Sequence, residues 1–117
     1  MSRSRVNDIA AALPGAAHSD PWGGGHDCWK VGGKIFALIG ASEDRVSVKC
    51  DSIETADMLI EAGIASKAPY MHRSWVSLAC DAAEDELDHR IRQSYRIIRG
   101  TLPKKAQAEL AEIDPTR

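Results

Sequence analysis

At 117 residues the chain is long enough to bury a core as one domain without disulfides or a structural metal. Apolar residues make up 44% and charged residues 27%, which excludes disorder throughout, and no apolar run approaches the roughly 18 residues of a membrane span. With fifteen basic residues against seventeen acidic, the formal charge is −2, so nucleic-acid binding would have to come from a local patch.

A first helix is expected after Ser4, a cap for a stripe of Val6, Ile9, Ala10 and Leu13, and Pro14-Gly15 ends it. The polar start, Met-Ser-Arg-Ser-Arg, leads into this amphipathic stretch rather than into a signal peptide, which predicts a cytoplasmic protein. The segment PWGGGHDCWKVGGKIFAL then reads as a glycine-rich loop and a hairpin that turns at Gly32-Gly33, with strands at about Cys28 to Val31 and Lys34 to Ile39. With Val31 opposite Lys34, this turn sets Trp29 opposite Phe36 and Cys28 opposite Ala37. Both sets, Trp29/Val31/Phe36/Leu38 and Cys28/Ile35/Ala37/Ile39, are apolar enough to be buried, and the aromatic set is favoured for the core.

The third strand, Arg45 to Cys50, alternates cleanly: Val46, Val48 and Cys50 inward, Arg45, Ser47 and Lys49 outward. Asp51 is the expected cap of a second helix that buries Ile53, Ala56, Leu59 and Ile60 and stops at Gly63. Ser66 to Arg73 reads as a loop or irregular edge because Pro69 lacks a ladder donor, and Trp75 to Cys80 as the next strand. The acidic run Glu84 to Glu86 opens the longest helix, lined by Leu87, Ile91, Tyr95, Ile98 and Leu102. After Pro103, Lys104 to Ile113 suggests a short final helix, with residues 106–117 a loosely attached tail on a single domain spanning 1–117.

The ordered set Leu13-Pro14-Gly15, Pro21-Trp22-Gly23, Lys30 through Ala37, Val48-Lys49-Cys50, Pro69-Tyr70 with Trp75-Val76, Ser94-Tyr95 and Leu102-Pro103-Lys104-Lys105 resembles the MmcQ/YjbR family of small bacterial proteins. The resemblance spans roughly Ile9 to Lys105. It implies an α+β domain of the CyaY-like, frataxin-related kind, an antiparallel sheet of about four to five strands packed on one face by helices. It also implies DNA binding without an agreed catalytic or base-reading residue. The segment Tyr70-Met71-His72-Arg73-Ser74-Trp75 departs from the family pattern, being shorter between histidine and tryptophan and lacking an asparagine.

Two surfaces follow from the residues themselves. Arg90, Arg92, Arg96, Arg99, Lys104 and Lys105 form a basic stretch without an acidic residue, and Arg92, Arg96 and Arg99 share a helix face suited to phosphates. The same arginines also match the negative end of the helix dipole, with Glu84, Asp85, Glu86 and Asp88 at its start. The second surface is the sheet face away from the helices, where Lys49, Trp75, Arg45, Arg73 and Lys30 or Lys34 would suit single-stranded nucleic acid or an acidic protein partner. Trp75 packed beneath the preceding loop is the plainer alternative.

Catalytic and metal signals are weak. His18-Ser19-Asp20 and His26-Asp27-Cys28 do not match zinc spacing, Gly23-Gly24-Gly25 lacks the lysine and hydroxyl of a phosphate loop, and the three cysteines read as small buried hydrophobes. The expectation is a non-catalytic DNA-binding accessory protein without cofactor, monomeric or weakly dimeric and without a membrane role. The alternative is a protein- or small-ligand-binding module on the sheet face.

Overall fold

The computed structural model describes residues 2–69 and 71–113; Tyr70 and the end of the predicted tail, residues 114–117, lie outside them. The order is α1 (Ser2–Ala11), β1 (Ala17–Ser19), β2 (Asp27–Val31), β3 (Lys34–Ile39), β4 (Arg45–Lys49), α2 (Ile53–Glu61), β5 (Ser66–Lys67), β6 (Trp75–Ala79), α3 (Glu84–Gly100) and α4 (Lys104–Ile113). The strands form one antiparallel sheet in the order β1-β2-β3-β4-β6-β5. It has six strands rather than four to five because two short edge strands, β1 and β5, complete it. Neither has enough residues to show an alternating pattern in sequence.

Alternation decides what lies beneath the helices. Val46 and Val48 of β4 stand opposite Leu78 and Val76 of β6 and opposite Ile39 and Ala37 of β3, and all six are fully buried. On the same side, α3 contributes Leu87, Ile91, Tyr95 and Ile98, α1 Val6 and Ala10, and α2 Ala56 and Leu59. Burying large aliphatic and aromatic side chains of this kind is worth about 1.5–3 kcal/mol each, which holds the helix layer on the sheet. No described helix covers the opposite face.

The first hairpin corrects the predicted register. Val31 does face Lys34 and Lys30 faces Ile35, but Trp29 faces Ala37 and Cys28 faces Leu38, because the register shifts between Trp29 and Lys30. Phe36 is the extra residue of a bulge, and Phe36 and Ala37 are both buried against the helix layer opposite the single residue Trp29. The alternation slips by one, so Trp29, Val31 and Phe36 enter the core as expected whereas Ile39 replaces Leu38 there.

Ser94 of α3 completes the sheet at the bulge. Its buried hydroxyl donates to the Phe36 carbonyl at 2.6 Å and accepts the Lys49 N–H at 2.9 Å, bridging β3 and β4 where their ladder pairs end at Ala37 and Val48. One residue on, the Tyr95 hydroxyl donates to the Pro14 carbonyl at 2.6 Å, tying α3 to the end of α1.

Smaller departures have local causes. α1 starts at Ser2, so Ser4 lies within its first turn, and the cap of α2 is Ser52, whose hydroxyl accepts the Thr55 N–H at 3.0 Å, rather than Asp51. In α2, Ala56 and Leu59 are buried and Ile53 and Ile60 half-buried. α4 places Leu110 in the core beside Gly15, where an added Cβ would collide with its Cδ2.

Candidate ligand-binding groove and the basic end of the long helix

A groove lies on the uncovered face of the sheet. Leu38, Ser47 and Ser77 stand side by side across β3, β4 and β6, and with Ile35 and Arg45 they line this groove of about 530 Å³. Trp22 and His26 line it from the β1–β2 loop, Gly40 and Glu43 from the β3–β4 loop, and Lys67, Pro69 and Met71 from the β5–β6 side. The lining is mostly apolar, with a few polar groups, as in small-molecule sites.

Arg45 is the one half-buried cation of this lining. It reaches across to β6, where Nε donates to the Ser77 hydroxyl and Nη2 to the Ser77 carbonyl, both at 2.8 Å. Two bonds to one residue hold the guanidinium in place. Arg45 makes no ion pair with a carboxylate among the described residues.

The tryptophan wall is built by Asp20. Its carboxylate accepts the N–H groups of Gly25 at 2.9 Å and His26 at 3.1 Å, closing a loop in which Gly23, Gly24 and Gly25 all have positive φ. Gly25's hydrogen bond, opposed by partial desolvation and reinforced by His26, holds the Asp20 carboxyl below its ordinary value. The loop carries Trp22 and His26 with ring centroids 5.1 Å apart and leaves Trp22 60% exposed. These glycines therefore shape a wall.

From the helix layer, Arg3 braces the same region by donating to the carbonyls of Gly25 at 2.8 Å and Gly40 at 3.2 Å. Arg3 also pairs with Asp27 at 2.7 Å, and Asp27 takes further hydrogen bonds from Asn7 at 3.1 Å and His18 at 2.6 Å. Burial pushes the Asp27 carboxyl up, but His18, Arg3 and Asn7 together hold it below the usual carboxylate range. The two histidine-aspartate runs thus pair crosswise, His18 with Asp27 and His26 with Asp20. Among the described residues no three His, Cys, Asp or Glu side chains converge as a metal site.

The predicted site residues fall into separate places. Lys49 and Trp75 face each other across β4 and β6, but the Lys49 ammonium donates to the Ser74 hydroxyl at 2.6 Å and half-buried Trp75 packs against the core cluster. Neither lines the groove, and Arg73 is exposed in the loop before β6. Lys30 faces Ile35 on β3, whereas Lys34 sits at the hairpin turn and donates to the Thr101 hydroxyl at 3.2 Å, next to the end of α3.

Along α3, Arg92 pairs with Asp88 at 2.9 Å and Arg90 with Glu86 at 3.2 Å, so two arginines are neutralised one turn back. Arg99 lies 6.0 Å from the Tyr95 ring centroid and Arg96 is exposed. The outward position of Arg45 was readable from the β4 alternation. Trp22, His26, Pro69 and Met71 were not, since loops far apart in sequence meet there only in three dimensions.

The cysteines are free and buried, and burial, helped by Asp44, pushes the Cys80 thiol up to about 11. Burial likewise raises Cys50 against the opposing charge of Arg90. Both thiols are protonated and unreactive near neutral pH.

No curated protein matches the chain. In overall fold it is similar to the crystal structure of Deinococcus radiodurans protein DR2400, of domain family DUF419: the TM-score is 0.79 at 22% identity, over 91% of this chain and 85% of that one. The YjbR family model matches residues 11–97, and on that match the chain belongs to the YjbR family.

Proposed function

We propose that the chain is a non-catalytic binding protein whose working surface is the groove on the open face of the sheet. The observation that carries this reading is the groove itself: about 530 Å³ with a mostly apolar surface, in which the fixed Arg45 guanidinium pairs with no carboxylate of the described chain although Glu43 and Lys67 line the same groove. A half-buried charge left open in this way favours an external partner. Three buried, free cysteines suit a reducing, cytoplasmic setting and a monomer that needs no crosslink.

Screening small molecules against the folded protein by amide chemical shifts tests the reading. Ligands should move Leu38, Arg45, Ser47 and Ser77 together, and a screen whose hits all map to the helix layer would refute it.

A second reading, DNA binding, is favoured by one observation. The hydrogen bond from Lys34 to Thr101 gathers Lys34 with Arg99, Lys104 and Lys105 around the end of α3, and these cations make no ion pair among the described residues. Such a cluster would bind phosphates with affinity falling steeply as salt rises. The double variant Arg96→Glu with Arg99→Glu should then abolish a low-salt gel shift. Its persistence, or no shift by the wild type, would remove this reading.

A further inference from the structure

We infer that the groove takes a small, flat aromatic molecule bearing one monoanionic oxyacid group, a carboxylate foremost, with the anion on Arg45 and the ring between Trp22 and Met71. This inference rests on the groove being the binding surface.

The anion follows from how Arg45 is held. Ser77 occupies Nε and one bond of Nη2, while Nη1 has no hydrogen bond to the described residues and is not a buried orphan, so it remains open to solvent. The Ser47 hydroxyl, its outward neighbour on β4, also makes no hydrogen bond to the described chain and lines the groove floor. A monoanionic oxyacid group, carboxylate or sulfonate, fits such a donor pair, because guanidinium N–H groups and a hydroxyl can share two of its oxygens.

A single negative charge follows from Glu43. This carboxylate lines the groove two positions before Arg45 in sequence yet does not pair with it; it offsets one of the two cations of the lining, Arg45 and Lys67, and leaves one positive charge for the ligand to match. A doubly charged phosphate monoester is therefore disfavoured.

The flat ring follows from the walls. Trp22 is largely exposed although indole gains from burial, and it leans on His26 at 56°, leaving its surface available. Pro69 and Met71 stand on the β5–β6 side, with Ile35 and Leu38 on the sheet between. A thioether and a proline against an indole make a slot that suits an aromatic ring. The volume is that of a small-molecule site.

The test uses two related fluorescent probes on the intact chain: 8-anilinonaphthalene-1-sulfonate, a monoanion, and its neutral counterpart N-phenyl-1-naphthylamine. The wild type should bind both and prefer the sulfonate by about tenfold, the worth of one charge-assisted contact. Arg45→Gln should erase that preference while leaving the neutral probe bound. Glu43→Gln, an exposed change that leaves the fold intact, should tighten the sulfonate a few-fold and leave the neutral probe alone. Equal affinity of the two probes for the wild type overturns the inference and leaves the groove reading standing, as does a sulfonate affinity unmoved by Glu43→Gln. Binding of neither probe, or amide shifts away from Leu38, Ser47 and Ser77, overturns both. If Arg45→Gln fails to fold, the Glu43→Gln arm alone decides.

Discussion

Ser94 shows how one hydroxyl can stand in for a stretch of sheet. At the bulge Phe36 offers a carbonyl and Lys49 an N–H without a ladder bond between them, and the Ser94 hydroxyl serves both. Ser94→Ala would leave two buried backbone groups unsatisfied, so it should lower stability by about 1–3 kcal/mol in urea unfolding; an unchanged midpoint would mean that water replaces the hydroxyl. Asp27 is the corresponding ionic tie. Its folded-state carboxyl lies below the ordinary value of 3.8, so its contribution is complete above that value and is lost as pH falls through the lower folded value. Thermal melts of the wild type and Asp27→Asn should therefore differ by a steady amount near neutral pH and converge only as pH falls below 3.8 and through the folded-state value. A constant gap down to acid would show that Asp27 acts through shape rather than charge. Ser94-Tyr95 stood out in the sequence, but their roles did not, because their partners, Phe36 and Pro14, lie more than fifty residues away.

Among the elements, the hairpin, the alternation of β4 and the apolar stripe of α3 were legible because each repeats a period over several residues. The bulge in β3 was not, since a run apolar on both faces carries no mark of where alternation slips. The Gly32 turn was legible, and its partner explains a further motif: Gly32 has φ +58°, and a Cβ there would lie 2.6 Å from Leu102 Cδ1, so the segment after α3 closes onto the hairpin. Gly32→Ala combines left-handed backbone strain with that clash and should cost about 1–3 kcal/mol; calorimetry showing an unchanged melting temperature would place the turn free of Leu102. The basic run on α3 was legible as charge. Its neutralisation at Arg90 and Arg92 by Glu86 and Asp88 follows from helical spacing, and leaves Arg96 and Arg99 at the end of the helix.

As a whole the molecule is one-sided. Helices seal one face of the sheet and bury every inward residue of β4 and β6, while the other face is left to loops that rise around Leu38, Ser47 and Ser77. Sequence alternation told which side chains point outward, but the walls depend on Asp20 folding the glycine loop and on Arg3 holding it from α1. For that reason Lys49 and Trp75 were the expected centre of this face, whereas the residues that line the groove are Arg45, also expected there, and Trp22. Amide chemical-shift mapping of the folded chain titrated with an aromatic monoanion tests this division most directly. Saturable shifts at Leu38, Arg45, Ser47, Ser77 and Met71, with Arg96, Arg99 and Lys104 unmoved, are the predicted result; shifts confined to the α3 end with the sheet face silent would contradict it.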